Sequence, residues 1–300
     1  MTRVRGKFVH LNGRIVPSAR ARVSVFDRGL LYSDGVFETL RVYHGIPFAL
    51  REHLKRLTTS AEFLGIGLPR HPWQRDIAAL LQRNQLIETD AWLRITVTRG
   101  VTAPTLVPPA RINPTLLITA GPIDSSIATI QRTGVGVTLL PFARHGFLSE
   151  HKVLDCLAAV LGKTIAARHD AFEGLYVDDQ GRITEGTTSN VFVWRRGQLL
   201  TPPAAGILPG ITRRMVIQAA TAAGLRVCEQ EFIKKDLLDA DEAYLTSSLA
   251  EIVPITAVDA RAIGDGQVGP HTRQIQAIYR QTVDHASAPS RATPRKQRGV

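Results

Sequence analysis

Thr184-Glu185-Gly186-Thr187-Thr188-Ser189-Asn190-Val191-Phe192-Val193-Trp194 passes from hydroxyls behind one carboxylate into a run of β-branched and aromatic residues. The first half is loop chemistry and the second a buried strand. Outward from it, Gly136 to Leu140 and Gly174 to Val177 read as strands, whereas Val153 to Ala167 and Thr212 to Ala223 carry helical spacing. The order is neither a clean βαβ alternation nor an all-β meander, so the fold class is α+β.

Toward the N-terminus the pattern shortens. Lys7 to Leu11 and Arg14 to Val16 flank Asn12-Gly13, a strong hairpin signal. Val36 to Tyr43 reads as a strand, and Arg51 to Leu64 as a helix with Leu54, Leu57, Ala61 and Leu64 along one face. Trp73 to Asn84 gives a second helix, and Trp92 to Thr98 and Thr115 to Thr119 return as strands. Turn chemistry from Gly121 to Ser126 marks a boundary. The expected division is a small N-terminal domain over 1–120, a linker over 121–131, a larger domain over 132–284 and a frayed tail over 285–300.

Composition removes several function classes. With 44% hydrophobic and 21% charged residues, the 300-residue chain is globular rather than disordered. Cys156 and Cys228 stand far apart, which leaves a disulfide scaffold or a four-ligand zinc site without support and points to a reducing cytoplasm. The basic start, Met1 to Lys7, leads into no long apolar core, so neither export nor membrane insertion is expected. The net charge of +11 is partly a tail effect, because Arg291, Arg295, Lys296 and Arg298 lie there with no acid. Aromatic residues are only 6% and do not interleave with basic runs, so no nucleic-acid partner is expected.

Three motif matches fail in context. Gly264 to Gly269 spells a dinucleotide fingerprint, but no second parallel strand can follow it. Ser149 to Lys152 fits the S-x-x-K pattern of acyl-serine enzymes without its companion elements. Gly162-Lys163-Thr164 lacks the first glycine of a phosphate loop, Leu157 standing there instead.

What remains is subtler. Seven lysines stand against thirty arginines, and an amine that must form a Schiff base is one place where arginine cannot substitute. Lys152 adjoins the apolar segment from Val153 to Leu161, although a lysine at a helix start is ordinarily solvated. Glu185 stands among hydroxyls, and composition alone equally describes a polar hairpin with an exposed glutamate. Gly206 to Arg214 opens a helix at Ile211 or Thr212, where bare N–H groups either seat an anion or simply begin a helix. Arg56 either pairs with Glu52 one turn back or faces inward to an anion. Thr246, Ser247 and Ser248 put hydroxyls at a strand end. A lysine, an acid and a phosphate seat together are what a pyridoxal phosphate site requires.

The order of these segments resembles the class IV (fold type IV) pyridoxal-phosphate aminotransferases, from about Phe8 to Arg280. The blocks that carry it are Asp27 to Glu38, Glu52 to Leu57, Thr184 to Phe192, Leu208 to Arg213 and Ala240 to Pro254. The group includes branched-chain, D-amino acid and R-selective amine aminotransferases and aminodeoxychorismate lyase. The resemblance implies a small α/β domain, a larger one with a β-barrel-like core, and a homodimer. It also implies that Lys152 is the Schiff-base lysine and Glu185 the partner of the pyridine nitrogen. Arg56, Ile211, Thr212, Ser247 and Ser248 would hold the phosphate, and Leu208 would pack on the ring. Tyr32, Phe37, Arg94 and Leu249 would face the substrate.

The sequence departs from two of these subgroups. Leu157 stands where branched-chain enzymes carry a tyrosine, and Val101 to Leu106 lack the arginine and histidine of D-amino acid enzymes. Arg94 and Tyr32 lean toward the branched-chain pattern. The expected reaction moves an amino group between a branched-chain or other hydrophobic L-amino acid, a D-amino acid or an amine and a 2-oxo acid. The alternative is the lyase reaction, splitting 4-amino-4-deoxychorismate into 4-aminobenzoate and pyruvate.

Overall fold

A computed structural model describes residues 6–144 and 146–287. Its N-terminal part is an antiparallel sheet of six strands: β1 (Phe8–Leu11), β2 (Arg14–Pro17), β3 (Gly35–Tyr43), β4 (Ile46–Pro47), β5 (Ala91–Thr98) and β6 (Thr115–Pro122). Their spatial order is β2-β1-β6-β5-β3-β4. Asn12 and Gly13 join β1 to β2 with φ of 48° and 86°, the left-handed pair that a two-residue hairpin turn demands. Three helices accompany the sheet: α1 (Arg28–Tyr32), α2 (Leu50–Phe63) and α3 (Trp73–Arg83). Leu57, Ala61, Ile77, Leu80 and Leu81 from the latter two join Leu40, Leu93 and Ile95 in one buried cluster.

The rest of the chain runs α4 (Ser126–Thr133), β7 (Val135–Leu139), α5 (Leu157–Arg168), β8 (Glu173–Val177), β9 (Ile183–Gly186), β10 (Asn190–Arg195) and β11 (Gln198–Thr201). It continues with α6 (Ile211–Ala222), β12 (Val227–Glu229), α7 (Lys234–Leu238), β13 (Glu242–Ser247), β14 (Glu251–Val258), β15 (Arg261–Ala262) and α8 (Pro270–Ser287). These nine strands form a mixed sheet ordered β12-β11-β10-β13-β14-β7-β8-β9, with β15 beside β14.

The connection from β9 to β10 sets the shape of this sheet. In a flat sheet, five strand spacings of about 4.8 Å would hold the two strands roughly 24 Å apart. The four residue steps from Gly186 to Asn190 reach at most about 14 Å, so the sheet curls to bring β9 back toward β10. That curl places Thr187, Thr188 and Ser189 across its open seam.

The α+β class holds, with differences in detail. The helix expected from Val153 begins at Leu157, because residues 152–154 are taken by β3: Lys152 O accepts from Phe37 N at 3.0 Å, and Leu154 N donates to Gly35 O at 2.9 Å. Gly35 permits this approach, since a Cβ there would stand 2.6 Å from Leu154 Cδ1 and 2.7 Å from Val97 O. Gly121 and Pro122, read as turn, finish β6 against Trp92 and Ala91, and residues 126–131 of the expected linker belong to α4. His285 to Ser287, read as tail, complete α8. Residues 1–5 and 288–300 lie outside the described residues, and with them most of the basic start and of the basic tail. The Gly264–Gly269 motif is a turn before α8, with φ of 56° and 76° at Gly264 and Gly266. No helix among the described residues is long and apolar enough to cross a membrane.

Candidate active site

A cavity of about 1020 Å³ is walled by both sheets and by the start of α6. Lys152 reaches it from the short strand added to β3, where its N–H donates to Ser60 Oγ at 3.1 Å. Its Nζ lies 4.6 Å from the centroid of the Phe37 ring. Burial, followed by the nearby Arg56 charge, pushes the amine down to about 8. A fraction of it is therefore neutral, and able to accept a proton, near neutral pH.

Glu185 stands on β9 and is 4% exposed. Its Oε1 accepts from Arg144 Nη1 at 2.8 Å and its Oε2 from the Leu208 N–H at 3.1 Å. Burial raises the carboxyl to about 7, and the Arg144 charge offsets that only in part. A carboxylate in this state binds a cationic or N–H partner strongly, because water competes poorly for it.

Arg56 faces inward rather than toward Glu52. Its Nε and Nη2 bond Glu38 at 2.6 and 2.8 Å, and its Nη1 donates to Pro209 O at 3.0 Å. Burial would raise the Glu38 carboxyl, but the Arg56 bonds and then His53 outweigh it and hold it at about 2. Of five guanidinium N–H donors, two remain for an anion.

Helix α6 begins at Ile211 with Gly210 as its cap, so no side chain covers its first N–H groups. A Cβ at Gly210 would collide with Asn190 Oδ1, whose amide holds Leu208 O at 3.1 Å. Thr246 Oγ1 is buried in the cavity wall without a hydrogen-bond partner among the described residues. A bare helix start, an orphaned hydroxyl and spare arginine donors in one cavity fit a phosphate ester. Lys152 and Glu185 in the same cavity fit the aldehyde and ring nitrogen of a pyridoxal.

Ser247, Ser248, Leu208, Ile211, Thr212, Phe37, Arg94 and Leu249 also line the cavity. Tyr32 does not: it lies on α1, 37% exposed, with the Arg28 guanidinium 4.9 Å from its ring. Leu157, 75% exposed, faces away from the cavity. Sequence reasoning missed Arg144, one arginine of thirty in an aperiodic loop. It also missed Glu173, wholly buried at the start of β8, which gathers Thr187, Thr188 and Ser189. The three hydroxyls hinted at a carboxylate to collect them, but nothing in spacing identified it.

The family model for class IV amino-transferases matches residues 35–258. A putative branched-chain-amino-acid aminotransferase of Methanocaldococcus jannaschii is 38% identical over 91% of this chain and 95% of that protein. A D-alanine aminotransferase of Bacillus licheniformis is 34% identical, covering 92% and 96%. An aminodeoxychorismate lyase of Bacillus subtilis is 31% identical, covering 92% and 94%. A solved branched-chain amino acid aminotransferase from T.th. with pyridoxamine 5'-phosphate superposes with a TM-score of 0.86 at 27% identity, covering 95% of each chain. With these matches, the lysine, carboxylate and phosphate seat acquire a class: the chain belongs to the class IV aminotransferases. It is an enzyme, a transaminase whose cofactor is pyridoxal phosphate.

Proposed function

We propose that this enzyme moves the amino group of a hydrophobic amino acid to a 2-oxo acid, with Lys152 as its proton-transfer residue. The observation that carries the choice of substrate is Arg94. Its guanidinium carbon lies 3.7 Å from the Phe37 ring centroid inside the cavity, and it forms no ion pair among the described residues. A half-buried cation without an acid beside it calls for an anionic ligand. A carboxylate common to an amino acid and a 2-oxo acid meets that need, whereas a simple amine leaves it unmet. Phe37, Val153, Leu249 and Val253 supply an apolar wall for a hydrocarbon side chain.

Pyridoxal phosphate supplies an electron sink conjugated to the substrate α-carbon. Arg56, the start of α6 and the hydroxyls of Thr246, Ser247 and Ser248 anchor its phosphate, and Leu208 packs against the ring. Glu185 holds the positive charge at the ring nitrogen. Lys152 Nζ takes the α-proton as base and returns it as acid, as an amine poised near 8 can do.

The working unit is a homodimer. Phe26, Leu30, Leu31 and Tyr32 near α1, Phe147, and Leu157, Val160 and Leu161 on α5 all expose apolar side chains. Such surface on one chain marks an interaction face. Tyr32, outside its own cavity, would then serve the partner's. Free thiols at Cys156 and Cys228 suit a reducing cytoplasm. The 1–120 and 132–284 division corresponds in this reading to the two sheets that meet at the cavity.

The test is a donor screen with pyruvate and 2-oxoglutarate as acceptors, with 4-amino-4-deoxychorismate in parallel. Transfer from hydrophobic amino acids, with little from the matching amines, supports the proposal. Release of 4-aminobenzoate without amino transfer would establish the lyase reaction instead.

A further inference from the structure

Away from the active-site cavity, two histidines and an aspartate meet where β1 packs on α3. His10 lies in β1, His71 just before α3, and Asp76 in the first turn of that helix. His10 Nε2 stands 3.2 Å, and His71 Nε2 3.3 Å, from the same oxygen, Asp76 Oδ2. All three residues offer a donor atom within 4.8 Å of one another.

These contacts do not have hydrogen-bond directions. His10 Nδ1 and Nε2 and His71 Nε2 are buried with no hydrogen-bond partner among the described residues, and His10 is 1% exposed. Buried ring nitrogens left unpaired are costly, and a lone pair aimed past the hydrogen-bond line suits a ligand bond instead. Around a tetrahedral ion with bonds of about 2.05 Å, neighbouring donor atoms stand about 3.3 Å apart. The two nitrogen–oxygen separations have that length. Octahedral magnesium would bring its donors to about 2.9 Å and prefers oxygen throughout.

The surroundings are those of a site. Arg75 Nε occupies Asp76 Oδ1 at 2.8 Å, which orients the carboxylate and leaves Oδ2 to the histidines. The two imidazoles meet edge to face with centroids 4.9 Å apart, and the Trp73 ring packs against His71 at 4.6 Å. A separate pocket of about 630 Å³ has His71 in its wall, so one member of the cluster borders open space. We infer that His10, His71 and Asp76 bind a zinc-type divalent ion that clips β1 to the start of α3. Zinc was not expected from sequence because the two cysteines stand apart and the histidines belong to elements distant along the chain.

Untagged holoenzyme is stripped with a chelator, exposed to zinc chloride, desalted, and then measured for metal content and thermal midpoint. The expected result is one retained zinc per chain and a midpoint raised by several degrees. His71→Ala, at the pocket wall, should melt close to the stripped wild type, retain no zinc and show no rise. Asp76→Asn should likewise retain none. His10→Ala removes a buried ring and risks misfolding, so His71→Ala carries the decision. Wild type that retains no zinc, or a His71→Ala protein that gains as much from zinc as wild type, overturns the inference.

Discussion

Arg56 and Glu38 meet fork to fork, Nε to Oε1 at 2.6 Å and Nη2 to Oε2 at 2.8 Å. The arginine read from sequence as a phosphate anchor is thus itself anchored by a carboxylate on β3. Glu38 has a folded-state pKa of about 2, below its ordinary 4.5. A depressed carboxylate stabilises the fold fully above its unfolded pKa, and the contribution fades as pH falls through the folded value. Glu38→Gln should therefore cost about 3 kcal/mol at pH 7. The deficit should narrow between pH 4.5 and 2, as urea midpoints at pH 7 and pH 3 would show.

Lys152→Met should abolish turnover, since the other cavity amine, Lys163 Nζ, is held by Phe172 O at 2.8 Å and by Glu173 at 3.1 Å. The same change should stabilise the cofactor-free protein at pH 7 by about 1–3 kcal/mol, because it removes an amine that burial pushes below its free value. The gain is fully present below about 8 and vanishes as pH rises to 10.5. Urea unfolding at pH 7 and pH 10 reads the sign directly.

Glu185→Gln keeps the shape of the side chain and deletes its charge. Loss of an electrostatic partner in a buried site costs on the order of 10²–10³ in rate. Single-turnover conversion of the pyridoxal form to the pyridoxamine form, at equal cofactor occupancy, should slow by that factor while cofactor retention changes far less. A rate within about threefold of wild type would place the ring-nitrogen acid elsewhere.

Arg94→Gln separates carboxylate recognition from chemistry. A charge-assisted hydrogen bond contributes about 1.5–3 kcal/mol. The kcat/KM for a hydrophobic amino acid should therefore fall about 10- to 150-fold, while that for the corresponding primary amine stays nearly constant. Equal losses for both donors would remove Arg94 from the substrate site.

Glu173→Gln tests the collector of the seam hydroxyls. Thr188 and Ser189 donate to Glu173 at 2.9 and 3.1 Å, Thr187 donates as well, and Lys163 Nζ lies 3.1 Å from it. Hydrogen bonds to a charged group contribute about 1.5–3 kcal/mol, so stability should drop by at least that much. Cofactor should also dissociate faster, because the same loop leads into Asn190, whose amide holds Leu208 O at 3.1 Å. Unfolding and dialysis measurements check the two effects together.

The strands and long helices were legible because alternation and 3.6-residue spacing reflect which side of each element meets the core, as Leu57 and Ala61 illustrate on α2. The helix start near Lys152 was misread for a tertiary reason: Val153 and Leu154 look like a helix face, yet their backbone is claimed by β3, which no local pattern reveals. Arg56 could be read only as a choice between Glu52 and an inward anion, since Glu38 approaches it through the fold. Arg144 and Glu173 left still less trace, as each gains its meaning from a partner on another element. Tyr32, placed among the substrate residues by resemblance, stands outside the cavity of its own chain.

Lys152 is stitched into the edge of the first sheet through Phe37, whereas Glu185 rides on β9 of the second. In the proposed mechanism amine and acid thus belong to separately built walls, and neither wall alone carries both ends of the chemistry. During refolding, a species with only one sheet formed would be silent to the cofactor. The yellow colour of bound pyridoxal is then a clock for the moment the two walls close on each other, later than any signal from secondary structure.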